Sequence, residues 1–249
     1  MSKKLIAFDL DDTLAESKSA ITDRMSELLG LLLEKFEVCV ISGGKFEQFE
    51  KQLLSNLNVE PSKFRRLHIM PTCGTRYYRF DKNAWRQIYA EDFTAAQKAK
   101  IIKALELAAR QLGYMEKKPW GEITEDRGSQ ITFSALGQKA PVEAKEKWDP
   151  TGKKKQKIRN LVAELIPQFE VRTGGKTSID VTKLGIDKAY GMQKLLDMSS
   201  IKKEDVLFFG DKLMEGGNDY PIKAMGIHSI EVSNWRDTAL VIQALLYTT

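Results

Sequence analysis

The sequence is poor in the residues that build disulfide frameworks and soft metal centres. Its 249 residues include two cysteines, Cys39 and Cys73, and two histidines. So few cysteines exclude a disulfide scaffold and suit a reducing compartment; Cys39, inside an apolar run, reads as a small core residue. No zinc-type spacing occurs, and His228 has no second histidine near it in sequence, so it reads as a strand residue rather than a ligand. No apolar stretch reaches membrane-spanning length, and the first residues carry no apolar signal-peptide region. A cytoplasmic protein with no membrane partner is therefore expected. There is no internal repeat and no aromatic-interleaved basic strand, so nucleic acid is not an expected partner. Charge is not scarce in either sign. The net charge is +5, with lysines spread along the chain, a balance that suits acidic substrates such as phosphates and weak nonspecific nucleic-acid affinity. The one biased segment, Lys153-Lys154-Lys155-Gln156-Lys157, is the kind of run that is usually a solvated helix face, although it could also draw anions.

What is present begins with Lys4-Leu5-Ile6-Ala7-Phe8-Asp9, followed by Leu10-Asp11-Asp12-Thr13-Leu14. A short apolar run bounded by polar residues is the mark of a buried strand in a parallel sheet, and ligands of such sheets bind at the carboxyl ends of the strands. Asp9 and Asp11 alternate, so in an extended segment their side chains point the same way. One could ligate a cation and attack an electrophile while the other handles a proton; an acidic helix cap by Asp12 or Thr13 is the plainer alternative. Residues 20–36 carry Ile21, Met25, Leu28, Leu29, Leu32 and Phe36 at helical spacing. Glu37 to Ile41 is a second buried strand ending in Ser42-Gly43-Gly44, where backbone N–H groups can approach an anion, or where a plain strand-to-helix turn would serve. Residues 46–57 read as a helix and 67–70 as a strand.

After about residue 80 the pattern changes. A helix over 92–113, an alternating, half-buried strand over 129–134, a helix over 153–166 and a hairpin from 169 to 181 around Gly174-Gly175 do not alternate in βαβ fashion. The βαβ pattern returns with a helix from 188, an apolar strand 206–209 tipped by Gly210-Asp211, the Gly216-Gly217-Asn218-Asp219 loop, a strand 226–232 and a helix 235–246. The expected fold is α/β: a Rossmann-like parallel-sheet core, 1–80 with 188–249, and an inserted α+β cap domain, 81–187. Strand tips carrying Asp9 and Asp11, Ser42 and Asp211, with Asn218 and Asp219 nearby, converge on one sheet edge. All-oxygen ligands select a hard cation, Mg²⁺ above all, and a cation beside a free carboxylate and a lysine suits phosphoryl transfer.

Asp9-Leu10-Asp11-Asp12-Thr13, Ser42, Lys188 and Gly210-Asp211 with Gly216-Gly217-Asn218-Asp219 resemble, in order and spacing over the whole chain, the four motifs of the haloacid dehalogenase superfamily. Within it the chain is most similar to eukaryotic-type phosphomannomutases. The similarity is carried by Arg127 to Gln138, Gly174 to Val181, Gly185 to Lys188, and Gly210 to Asp219. The resemblance implies an enzyme with Asp9 as nucleophile and Asp11 as general acid/base. Ser42, Gly43 and Lys188 would hold the transferring group, and Arg127, Ser178 and Asp180 would contact a small phosphorylated substrate, a sugar phosphate. It further implies Mg²⁺ on Asp9, Asp11 through its carbonyl, and Asp211, supported by Asn218 and Asp219. Three departures bear on activity, the first being Asp12 where the mutases have glycine. Gln138 stands where the mutases have an arginine, and Lys145 stands where they have another. Arginine grips a distal phosphate bidentately and lysine only partly replaces it, so the expected activity is a phosphosugar phosphatase, with interconversion of mannose 1-phosphate and mannose 6-phosphate as the alternative. A non-enzymatic basic binding module is the third reading; it leaves the carboxylate cluster unexplained. The oligomeric state stays open, a homodimer through the cap being one option.

Overall fold

A computed structural model describes residues 3–248. In chain order, β1 (Leu5–Phe8), α1 (Asp23–Lys35), β2 (Glu37–Ile41), α2 (Phe46–Gln52), β3 (Leu67–Met70), β4 (Arg76–Asp81) and β5 (Ala84–Ala90) come first. Next are α3 (Ala95–Gln111), β6 (Thr124–Asp126), β7 (Gln130–Ser134), α4 (Val142–Trp148), α5 (Lys153–Leu165), β8 (Phe169–Thr173) and β9 (Ser178–Lys183). The chain closes with α6 (Lys188–Ser199), β10 (Val206–Gly210), α7 (Tyr220–Ala224), β11 (His228–Glu231) and α8 (Trp235–Thr248). It divides into two compact units: residues up to Ala90 with those from Asp187 onward, and Glu91–Ile186.

The first unit is built on a seven-stranded sheet of order β11-β10-β1-β2-β3-β4-β5. Strands β11 to β3 are parallel, and β4 and β5 extend the edge antiparallel. The apolar run of β1 is explained by cover on both faces. Ile6 and Phe8 join Met25, Leu28 and Leu32 of α1, while Leu5 and Ala7 join Met192 and Leu195 of α6. The stripe on α1 starts where Thr22 accepts a hydrogen bond from the Met25 N–H at 3.3 Å. Truncating Leu28, buried to 1 % exposure, removes a full core side chain, a change of about 2–5 kcal/mol.

Two expectations differ here. The helix expected over 46–57 stops at Gln52, and a short 3₁₀ turn at Leu54–Asn56 follows. The division after residue 80 falls ten residues later, because β4 and β5 pair with β3 and belong to the first sheet. Their turn is Lys82-Asn83, both left-handed with φ of 48° and 61°, the conformation a two-residue hairpin demands.

The second unit carries a four-stranded antiparallel sheet of order β6-β7-β9-β8. One face packs Ile131, Phe133, Ile179, Val181 and Val171 against Ile101, Leu105 and Ala108 of α3 and Ile158 and Val162 of α5. The alternation of β7 holds, but all five of its residues are buried rather than half of them. The face opposite the core is polar. Register places Glu125 of β6, Thr132 of β7, Asp180 of β9 and Arg172 of β8 in one row across the sheet.

Candidate active site

Asp9 is the first residue past β1, and its N–H still reaches the Phe209 carbonyl of β10 at 2.9 Å. It is therefore fixed by the sheet and is only 3 % exposed. Its Oδ1 accepts from the Leu10 N–H at 2.7 Å and from the Lys188 ammonium at 2.7 Å. Lys188 is the first residue of α6, placed by Asp187, whose carboxylate caps the helix by accepting from the Tyr190 N–H at 2.9 Å. The same ammonium lies 2.5 Å from Asp219 Oδ1. Asp219 Oδ2 accepts from the Lys212 N–H at 3.1 Å, and Asp211 pairs with the Lys212 ammonium. A Cβ on Gly210 would come within 2.6 Å of the Asp219 carboxyl, and one on Gly217 within 2.1 Å of the Lys212 carbonyl. Both glycines are thus what lets this loop fold onto the strand tip.

Burial dominates the electrostatics. It pushes the Asp9 carboxyl up, the Lys188 charge pulls it down and Asp219 pushes it up again, leaving it near 7. Burial would lower Lys188, but Asp9 and Asp219 beside it raise it above its ordinary range, so the ammonium keeps its proton. Asp211 is also raised, chiefly by burial. Asp9, Asp211 and Asp219 each bring an oxygen within 4.8 Å of the others. Three carboxylates thus meet two ammonium groups, the fully buried Lys188 and the exposed Lys212, and among the described residues Asp211 Oδ1 is buried without a hydrogen-bond partner. An orphaned carboxylate oxygen in an all-oxygen cluster with excess negative charge fits a hard divalent cation.

The other expected residues are placed as follows. Ser42 follows β2, is 5 % exposed, and its Oγ accepts from the Gly44 N–H at 3.3 Å. Gly43 stands between them. Asn218 is on the exposed side of the loop that buries Asp219. Asp11 is held by groups outside the strand tips. Its carboxylate shares no hydrogen-bond partner with Asp9: Oδ2 accepts from Gln48 Nε2 at 2.8 Å, and Oδ1 from Gln52 Nε2 at 3.1 Å and the Lys18 N–H at 2.7 Å. Beyond Asp11 the chain turns: Asp12 is left-handed with φ of 60°, and Asp11 bridges to Ala15. Gln48 and Gln52 were not among the expected site residues; their spacing of four on a helix just after the Ser42 turn was the available signal. In the second unit, Arg127 donates to Glu125 Oε2 through Nε at 2.9 Å and Nη2 at 2.8 Å. Asp180 Oδ1 accepts from Thr132 Oγ1 at 2.7 Å. Ser178 and Asp180 lie beside Gly174, where a Cβ would come within 2.6 Å and 2.5 Å of them.

The profile of the eukaryotic phosphomannomutase family matches residues 25–248. A phosphomannomutase of Encephalitozoon cuniculi is 30 % identical, over 95 % of this chain and 91 % of that protein. Among solved structures, a haloacid dehalogenase-like hydrolase from Bacteroides thetaiotaomicron aligns with a TM-score of 0.66 at 17 % identity, over 98 % of this chain and 100 % of that one. The IMP-nucleotidase of Plasmodium falciparum, truncated at its N-terminus and bound to IMP, aligns with a TM-score of 0.71 at 15 % identity, over 99 % of this chain and 68 % of that one. At these identities the two structures speak for the fold alone. The sequence matches cover nearly the whole chain, and with them the chain belongs to the eukaryotic phosphomannomutase family of the haloacid dehalogenase superfamily, as an enzyme of phosphoryl transfer.

Proposed function

We propose that this enzyme interconverts mannose 1-phosphate and mannose 6-phosphate by way of a phosphoryl group carried on Asp9. The observation that supports this most is the family match over residues 25–248, joined to a nucleophile-type carboxylate held by Lys188 at 2.7 Å. An Asp9 oxygen attacks phosphorus, the bond from phosphorus to the sugar oxygen breaks, and that oxygen takes a proton from Asp11. In the return step a sugar hydroxyl attacks the same phosphorus, its proton passes to Asp11, and the electron pair returns to Asp9. Ser42 and the Gly43 N–H hold the equatorial oxygens, and Lys188 offsets their charge. Mg²⁺, held by Asp9, the Asp11 carbonyl and Asp211 with Asn218 and Asp219 in support, would supply charge neutralisation at phosphorus.

In this reading the second unit is a substrate-binding cap, with Arg127 on the distal phosphate and Ser178 and Asp180 on the sugar. The phosphatase reading rests on Gln138 and Lys145 and takes second place, since the matching family and the Encephalitozoon cuniculi relative are phosphomannomutases. Among the described residues Gln138 Nε2 is a buried donor without a partner, so an N–H remains for a phosphate oxygen where the family motif has arginine. The test is to supply mannose 1-phosphate, Mg²⁺ and a hexose 1,6-bisphosphate and to follow mannose 6-phosphate and free phosphate together. Mannose 6-phosphate should accumulate faster. Free phosphate as the dominant product would make the enzyme a phosphatase.

A further inference from the structure

We infer that Gln48, seconded by Gln52, is a positioning residue that parks Asp11 and so decides whether the phosphoryl group on Asp9 passes to sugar or to water. This rests on the proposed role of Asp9 and Asp11 and adds the residue that controls it.

Asp11 has donors on both oxygens: Gln48 Nε2 at 2.8 Å on Oδ2, and Gln52 Nε2 at 3.1 Å with the Lys18 N–H at 2.7 Å on Oδ1. The amide of Gln52 has one workable orientation. It is 1 % exposed, its Nε2 also donates to the Ser19 carbonyl at 2.9 Å, and its Oε1 is buried without a partner. Turned over, Oε1 would face the Asp11 carboxylate and the Ser19 carbonyl, three acceptors with no proton among them. Gln48 lies one helical turn earlier on the same face of α2. Space for it is made by Gly44, where a Cβ would come within 2.3 Å of Gln48 Oε1 and 2.7 Å of its carboxamide carbon. Two independent features of the turn and helix that follow β2 therefore aim an amide N–H at Asp11, and neither touches Asp9.

The chemical consequence follows from what Asp11 must do. In hydrolysis, a water oxygen attacks phosphorus, the bond to Asp9 breaks with its electron pair returning to the Asp9 carboxylate, and the water's proton passes to Asp11. In transfer to sugar the same steps occur with a sugar hydroxyl in place of water. Either way Asp11 must leave donors that favour it, and each such bond opposes departure. A sugar held by its own contacts offers a fixed hydroxyl in exchange; a single unanchored water offers much less. With Gln48 in place, the Asp9 phosphoryl group survives until sugar docks. Without that donor, Asp11 reaches water more often.

The experiment uses the full chain with Mg²⁺, phosphorylated by hexose 1,6-bisphosphate labelled in both phosphates, freed of sugar and acid-quenched at intervals. Gln48→Met, which keeps the length but removes the donor, should shorten the phosphoenzyme lifetime about fivefold or more, the scale of one hydrogen bond. Free phosphate per interconversion should rise by the same factor. Gln48→Lys, which keeps an N–H donor, should return the lifetime toward wild type. An unchanged lifetime in Gln48→Met would overturn the inference and leave the role of Asp9 standing. Parallel loss of lifetime and interconversion would overturn it too, as a structural defect. Absence of label on Asp9 in the wild type would instead overturn the proposed nucleophile.

Discussion

Two groups of charge lie at opposite ends of the same parallel sheet, and only one of them closes on itself. At the amino ends of β2 and β3, Glu37, His68, Tyr77 and Arg79 satisfy one another. His68 contacts Glu37 at 2.9 Å and Tyr77 Oη at 2.8 Å, and Arg79 reaches His68 at 2.7 Å and Glu37 at 3.7 Å. At the carboxyl ends, Asp9, Asp211 and Asp219 outnumber Lys188 and Lys212, and among the described residues Asp211 Oδ1 has no partner. A closed network is what a sheet edge needs to stay buried. An open one, with charge left over, persists because something else is meant to complete it. Sequence spacing treats the two ends alike; the balance of partners separates structure from chemistry.

Four changes would break or sharpen that contrast. The largest effect is expected of Asp9→Asn, which should keep the fold and lower turnover by about 10³-fold or more, as loss of a covalent nucleophile does; circular dichroism and turnover measured on one sample check this. Next is Lys188→Met. Leaving Asp9 and Asp219 buried without their ammonium should cost about 3–5 kcal/mol in metal-free protein, read by urea unfolding. Asp211→Ala comes third. The Mg²⁺ concentration for half-maximal activity should rise by at least about tenfold, and EDTA should silence the wild type. A wild type fully active without metal would remove the reason for an open cluster.

The smallest effect belongs to the closed end. His68→Leu strands Tyr77 and Glu37 and should cost about 1–3 kcal/mol at neutral pH. Burial holds His68 below its ordinary value, against the raising influence of Glu37. On acidification the unfolded chain then takes up that proton first, so wild-type stability should fall once pH drops below about 6.5. Burial would raise Glu37, but the His68 hydrogen bond and the charges of His68, Arg79 and Arg66 together hold it below its ordinary value, so its contribution is lost only at more acid pH. His68→Leu should flatten the first part of the stability profile and leave turnover unchanged.

The strand tips were legible because apolar runs ending in Asp9, Ser42 and Asp211 are the residues the sheet edge brings together. Lys188 and Asp219 came with the motif and lie where a helix cap and a glycine-dependent loop put them. The β4–β5 hairpin was not legible. Its Lys82-Asn83 turn has no glycine, and Arg76-Tyr77-Tyr78-Arg79-Phe80 does not alternate cleanly. Nor were the partners of the Asp11 carboxylate, which come from Gln48 and Gln52 of α2 and from the Lys18 N–H rather than from a strand tip. The polar row of the second sheet was legible only in part: Asp180 was singled out, as was Arg127, which pairs with the row's Glu125, whereas Glu125 and Thr132 follow from strand register.

A phosphoryl group carried by the open cluster must sit on Asp9, where it can be located. The wild type is incubated with labelled hexose 1,6-bisphosphate and Mg²⁺, quenched in acid, and its phosphorylated peptide identified by mass spectrometry, with Asp9→Asn as the paired sample. The account predicts one acid-stable, base-labile phosphoryl group on Asp9 and none on the variant. Label on another residue, or equal labelling of folded Asp9→Asn, would contradict it.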